Sequence, residues 1–142
     1  MKSIKNIEAV LNYHSNWKPC DIAFIRHFEW SDAGVKMIVY SQPYTIYDWW
    51  PDIFGSFIEI SISFRGVSDL KIELGKAGLS QLAGFAIEEV SDNNLEGINF
   101  DVHDFERGTI GFICRDIEIN EVLRLREVPS YTSSGVSQNF RS

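Results

Sequence analysis

The most constraining feature of the sequence is a run of strict alternation. From Phe57 to Phe64, Ile58, Ile60, Ile62 and Phe64 take every second place, with Glu59, Ser61 and Ser63 between them. Successive side chains of a strand point to opposite faces, so this segment reads as a strand with one dry and one wet face. A helix would scatter the same four apolar residues around its circumference.

The period of two recurs along the chain. From Asp21, Ile22, Phe24, Phe28 and Trp30 alternate with polar or small residues, although Arg26 interrupts the apolar face. Ser31-Asp32-Ala33-Gly34 is a turn signal, and residues 35–41 read as the returning strand. Arg65-Gly66 begins a bend, after which Leu70, Ile72 and Leu74 resume the alternation. Two further strands are expected over 85–90 and 98–103, joined by the turn-rich Ser91-Asp92-Asn93-Asn94. Glu106-Arg107-Gly108 then turns the chain into 109–114, with Ile110, Phe112 and Cys114 on one face, and Ile117, Ile119 and Val122 continue the pattern.

The expected fold class is therefore mainly β with a short N-terminal helix (α+β), an antiparallel sheet or sandwich of about seven strands paired in sequential order. The helix is placed over residues 3–13, where Ser3 is a candidate N-cap and Ile4, Ile7, Val10 and Leu11 recur on one face. A chain of 142 residues fits one domain. Residues 1–126 are read as that domain and 127–142, rich in Ser, Thr, Gly and Asn, as a disordered polar tail.

Charge narrows the partners. Residues 1–42 carry five basic and four acidic side chains, residues 43–100 three and nine, and residues 101–142 five and seven, for a net charge of −7. Nucleic-acid binding needs a basic footprint, so it is not expected, whereas an acidic middle suits a basic partner or simple solubility. The N-terminus has no apolar leader core, no window approaches a membrane span, and Cys20 and Cys114 make no case for an oxidising compartment. The expected location is cytoplasmic, with no membrane association.

No motif for catalysis or metal binding is present. The three histidines, His14, His27 and His103, form no ligand-spaced pair, and the cysteines form no Cys-x-x-Cys. Neither a nucleophile elbow nor a phosphate-binding glycine pattern occurs. Asp101, His103 and Asp104 form the densest polar cluster. On a strand Asp101 and His103 share a face, as a base and its orienter would, but Phe100 and Val102 make that face the solvated one. Glu88 and Glu89 are adjacent and point to opposite faces. The reading is a protein that is not an enzyme and needs no cofactor.

Residues 43–56 stand apart from the strand rhythm. Tyr44, Tyr47, Trp49, Trp50 and Phe54 are interleaved with Asp48 and Asp52 in a connection longer than hairpins normally use. Trp and Tyr offer large contact area at small entropic cost and anchor many interfaces. The candidate binding residues are Tyr44, Tyr47, Asp48, Trp49, Trp50 and Asp52. The alternative is that the segment folds back as a cap on one end of the sheet.

Three stretches carry a family resemblance: Tyr47-Asp48-Trp49-Trp50-Pro51, Ile58 through Val67, and Gly111 through Ile119. Their order resembles the predicted immunity proteins of bacterial polymorphic toxin systems, most nearly the immunity protein 50 family. The first strand departs from related proteins, carrying Arg26-His27-Phe28 where a His-Asp pair is expected. The resemblance implies a protein that binds a cognate toxin made by the same cell, often a nuclease with a basic cleft, and neutralises it by occlusion. A second reading is a β domain whose aromatic connection binds a small molecule or carbohydrate. A third is a homodimer paired through an uncovered sheet edge.

Overall fold

The alternating segments pair into two sheets facing one core. A computed structural model describes residues 3–41, 57–73, 80–82, 84–90 and 98–124. Among these lie one α-helix, α1 (Glu8–Leu11), two short 3-10 turns and nine strands. The strands are β1 (Ile22–Ser31), β2 (Gly34–Ser41), β3 (Ile58–Arg65), β4 (Ser68–Ile72), β5 (Ser80–Gln81), β6 (Ala86–Glu89), β7 (Phe100–His103), β8 (Ile110–Cys114) and β9 (Asp116–Arg124). A five-stranded sheet has the order β5-β1-β2-β3-β9, and a four-stranded sheet the order β4-β8-β7-β6. Every strand pair within them is antiparallel. The fold is mainly β with a short N-terminal helix, as expected.

Between β2 and β9, β3 buries Ile58, Ile60, Ile62 and Phe64 and turns Glu59, Ser61 and Ser63 outward. From the other sheet Phe100, Val102, Ile110, Phe112 and Cys114 point into the same core. Phe64 and Phe112 join the sheets edge to face, with ring centroids 5.0 Å apart at 83°. Each fully buried large aliphatic or aromatic side chain stabilises the fold by about 1.5–3 kcal/mol relative to exposure.

Consecutive pairing stops where the chain changes sheets. β3 passes to β4 at Gly66, β8 passes to β9 at Arg115, and the Arg115 amide donates to the Arg65 carbonyl at 2.8 Å. The result is a two-stranded ribbon that bends around the core, so β9 pairs with β3 and β4 with β8. Gly66 sits at φ +67, and a Cβ there would come within 2.8 Å of the Arg115 Cβ. The bend therefore requires glycine.

Two bulges alter the expected faces. Register shifts between Ile22 and Phe24 and between Ile25 and His27 break the parity of β1. Ile22 and Ile25 enter the main core, while Phe24 turns to the opposite face and joins Tyr40 and Phe57. The single apolar face expected from Ile22, Phe24, Phe28 and Trp30 is broken at Phe24, because the first bulge reverses parity and the second restores it, so that Phe28 again packs on the main core. In β9, Ile119 faces Ile62 and Glu121 faces Ser61, leaving Asn120 as the extra residue. That bulge explains why the apolar pattern steps by three from Ile119 to Val122.

The N-terminal helix is shorter than expected. α1 covers Glu8–Leu11, and Ile7, not Ser3, occupies its N-cap position. Lys5 instead bridges β9 in parallel, its amide donating to Ile117 and its carbonyl accepting from Ile119 at 2.9 and 3.0 Å. A short isolated helix is marginal, and the open edge of β9 offers residues before Asn6 better partners. The apolar positions still serve, since Ile4, Ile7 and Leu11 pack against the core and Val10 is buried in it. Leu74, the 91–94 turn and the 127–142 tail lie outside the described residues. Among the described residues no helix is long and apolar enough to cross a membrane.

Candidate functional site

The sequence directs attention first to the aromatic connection. Its candidate residues Tyr44, Tyr47, Asp48, Trp49, Trp50 and Asp52 lie outside the described residues, but both of its roots are described. Ser41 at the end of β2 pairs with Ile58 at the start of β3, so residues 42–56 leave and re-enter the sheet at facing positions. The Trp17 indole donates to the Ser41 hydroxyl at 2.9 Å within the buried interior. On the outer face beside these roots, Phe24 and Phe57 stand 6.2 Å apart with Tyr40 buried among them. Glu59 accepts from the Arg26 guanidinium at 3.2 Å. Burial is the main reason that the Tyr40 phenol is held far above its ordinary pKa; Arg26 opposes the shift, and Glu59 reinforces it by charge and hydrogen bonding. The connection thus springs from an aromatic and ionic footing on the five-stranded sheet.

The second candidate is the outer face of the four-stranded sheet. Its register sets Lys71, Gly111, His103 and Ala86 in one row and Ile113, Asp101 and Glu88 in the next. Asp101 and His103 share this face, as the alternation predicted, yet they are not each other's partners. Arg107 donates from Nη1 and Nη2 to the two Asp101 oxygens at 3.1 and 2.7 Å. His103 pairs through Nε2 with Glu88 at 2.7 Å, and its Nδ1 lies 3.3 Å from the Asp104 carbonyl. Gly111 leaves room for Arg107, since a Cβ there would meet the guanidinium at 3.4 Å. An open depression of about 320 Å³ lies here, lined by Asp69, Lys71, Asp101, Arg107, Gly111 and Ile113.

Ligand atoms of Glu88, Asp101 and His103 fall within 4.8 Å of one another. Both Asp101 oxygens, however, are forked by a guanidinium, and His103 is already paired with Glu88. A cation would have to compete with Arg107 for its carboxylate, so the residues read as a solvated polar network. Exposed pairs of this kind contribute about 0–1 kcal/mol each.

Asp104, the third member of the sequence cluster, does different work. It is 4% exposed, and its carboxylate accepts from the Thr109 and Ile110 amides. It pins the 3-10 turn Phe105–Arg107, which ends with Gly108 donating to the Phe105 carbonyl at 3.2 Å. Burial pushes the Cys114 thiol up to about 12, with Asp116 and Asp101 adding to the effect, so this cysteine is a core side chain and not a nucleophile.

Sequence reading missed the exposure of Phe105, which is 64% accessible. A phenylalanine beside a turn counts as a core candidate in any hydrophobic pattern, and only the position of the turn relative to the core shows otherwise. Trp30, expected on an apolar face, is 65% exposed at the tip of the β1–β2 hairpin.

Residues 54–120 of the chain match the family model described as Immunity protein PIM8. The matched span runs from just before β3 into β9 and contains the sheet-to-sheet crossings at Gly66 and Arg115, the four-stranded sheet and the Phe105 turn. It begins after the candidate residues Tyr44 to Asp52. The match bears out the resemblance to immunity proteins of polymorphic toxin systems, while the narrower likeness to the immunity protein 50 family is not confirmed by it. No curated protein and no solved structure matches the chain.

Proposed function

We propose that this protein is a non-catalytic immunity protein that binds one cognate toxin in the cytoplasm of the cell producing it and occludes the toxin's active site. The match of residues 54–120 to an immunity-protein family carries the reading and supports a toxin-inhibiting role in general. Binding without chemistry is consistent with how the polar groups are used. Asp101 is engaged by Arg107, His103 and Glu88 are engaged with each other, and Asp104 accepts from backbone amides.

The toxin is a basic protein in this reading. The chain carries a net charge of −7, and opposite charge speeds encounter and fixes orientation more than it adds affinity. Tyr44, Tyr47, Trp49 and Trp50 form the apolar part of the contact, with Asp48 and Asp52 at its rim. Their connection begins and ends at Ser41 and Ile58, which pair across β2 and β3.

Co-expression tests this directly. The protein should restore growth to cells expressing the toxin domain encoded beside its gene, and should co-purify with a catalytically dead version of that domain. Growth arrest despite abundant soluble protein, with no complex recovered, would sink the reading.

A further inference from the structure

We infer that the Phe105–Arg107 turn is a docking knob, inserting the Phe105 ring into an apolar pocket of the toxin. The inference rests on the toxin-binding reading above and locates a contact that the aromatic connection does not supply.

The exposure of Phe105 is built, not frayed. Its turn is held by the buried Asp104 carboxylate on the Thr109 and Ile110 amides, and by the Arg107 amide donating to the Asp104 carbonyl at 3.0 Å. An aromatic shown to solvent on a fixed backbone forgoes burial yet needs little ordering when a partner arrives, which is the economy of an interface anchor.

Strain marks the same place. Arg107 at φ +52 and Asp69 at φ +55 are non-glycine residues in the left-handed region, and both line the depression on this face. Such conformations cost on the order of 1–3 kcal/mol and concentrate at functional sites. Arg107 holds its guanidinium over Gly111 and on Asp101, which ties the end of the turn to the face of the sheet.

Position supplies the third observation. Phe105 stands against Gly84, two residues beyond Leu82, whose amide donates to the Ala23 carbonyl at 2.8 Å. Ala23 packs on the Phe24–Tyr40–Phe57 cluster beside the roots of residues 42–56. Through Gly84, Leu82 and Ala23 the turn is linked to the strand that carries this cluster. Trp30 is equally exposed but sits at the far end of β1 and outside the matched span, which makes it the natural control.

The test uses the full chain and the catalytically dead toxin domain, with binding followed by calorimetry. Phe105→Ala should weaken binding roughly 30-fold or more while leaving the melting temperature unchanged, and Trp30→Ala should stay within about threefold of wild type. Hydrogen exchange of the 104–110 amides should slow in the complex, a readout that holds even if a variant folds poorly. Wild-type binding with Phe105→Ala unimpaired, or with no protection of 104–110, overturns the knob and leaves the toxin reading standing. Failure of the wild-type chain to bind the toxin overturns both.

Discussion

β3 and the Phe105 turn use phenylalanine in opposite ways. Phe64 closes β3 inside the core, fully buried and packed edge to face on Phe112. Phe105 stands outside, on a turn fixed by a carboxylate and backbone amides. One segment is ordered by its side chains and the other despite its side chain. The difference separates stability from display: the strand cannot change without loss of the fold, whereas the turn keeps its shape when its exposed ring is removed.

The largest expected effect falls on the strand. Phe64→Ala should cost about 3–5 kcal/mol in chemical denaturation, since it leaves a cavity between the sheets and removes the edge contact with Phe112. An equal loss for Phe105→Ala would abolish the contrast.

Next comes the staple beneath the turn. Asp104→Ala should cost about 1–3 kcal/mol, because the Thr109 and Ile110 amides lose their acceptor. Asp104→Asn should lose less, since a carboxamide oxygen still accepts one of them. Near-equal losses for the two variants would show that the charge, not the acceptor, holds the turn.

Alkali should act on the buried side of the comparison. The Cys114 thiol stays protonated in the folded chain up to about 12, against an ordinary value of 9.0 that applies once it unfolds. Its contribution is complete below pH 9 and is lost as pH rises toward 12, and the raised Tyr40 phenol acts in the same direction. By pH 10 the loss should be on the order of 1–2 kcal/mol, read from denaturant midpoints. A Cys114→Ala chain with an unchanged alkaline slope would assign the effect to Tyr40 or elsewhere.

The smallest effects belong to exposed rings. Phe105→Ala and Trp30→Ala should each stay within about 0.5 kcal/mol of the parent chain. They should separate only when a toxin domain is present, where Phe105 alone weakens binding.

Legibility followed the same division. β3, β8 and the inward residues of β9 were readable because their apolar positions alternate or, in β9, step once by three, and β2 because a turn signal precedes it. β1 was misread at Phe24, which the first of two bulges sends to the outer cluster before the second restores the parity. The 3–13 helix was over-extended because its apolar spacing is satisfied equally by α1 and by a chain laid along β9. At the candidate sites, the solvated face of Asp101 and His103 was legible from alternation, but their partners were not. Glu88 and Arg107 reach them from a neighbouring strand and a following turn. The six residues of the aromatic connection stood out by composition, and only their roots gained a structural setting.

What the sequence determined by itself is the set of side chains that must be dry, because alternation and hydrophobicity act on each segment separately. It also determined the bend at Gly66, whose conformation and close approach to Arg115 exclude a side chain. Tertiary structure decided which strands pair, where the ribbon crosses between sheets, and which apolar residues stay exposed. Those outcomes depend on backbone hydrogen bonds between residues distant in sequence, such as Arg115 to Arg65 and Ile119 to Lys5, and no local pattern encodes a distant partner.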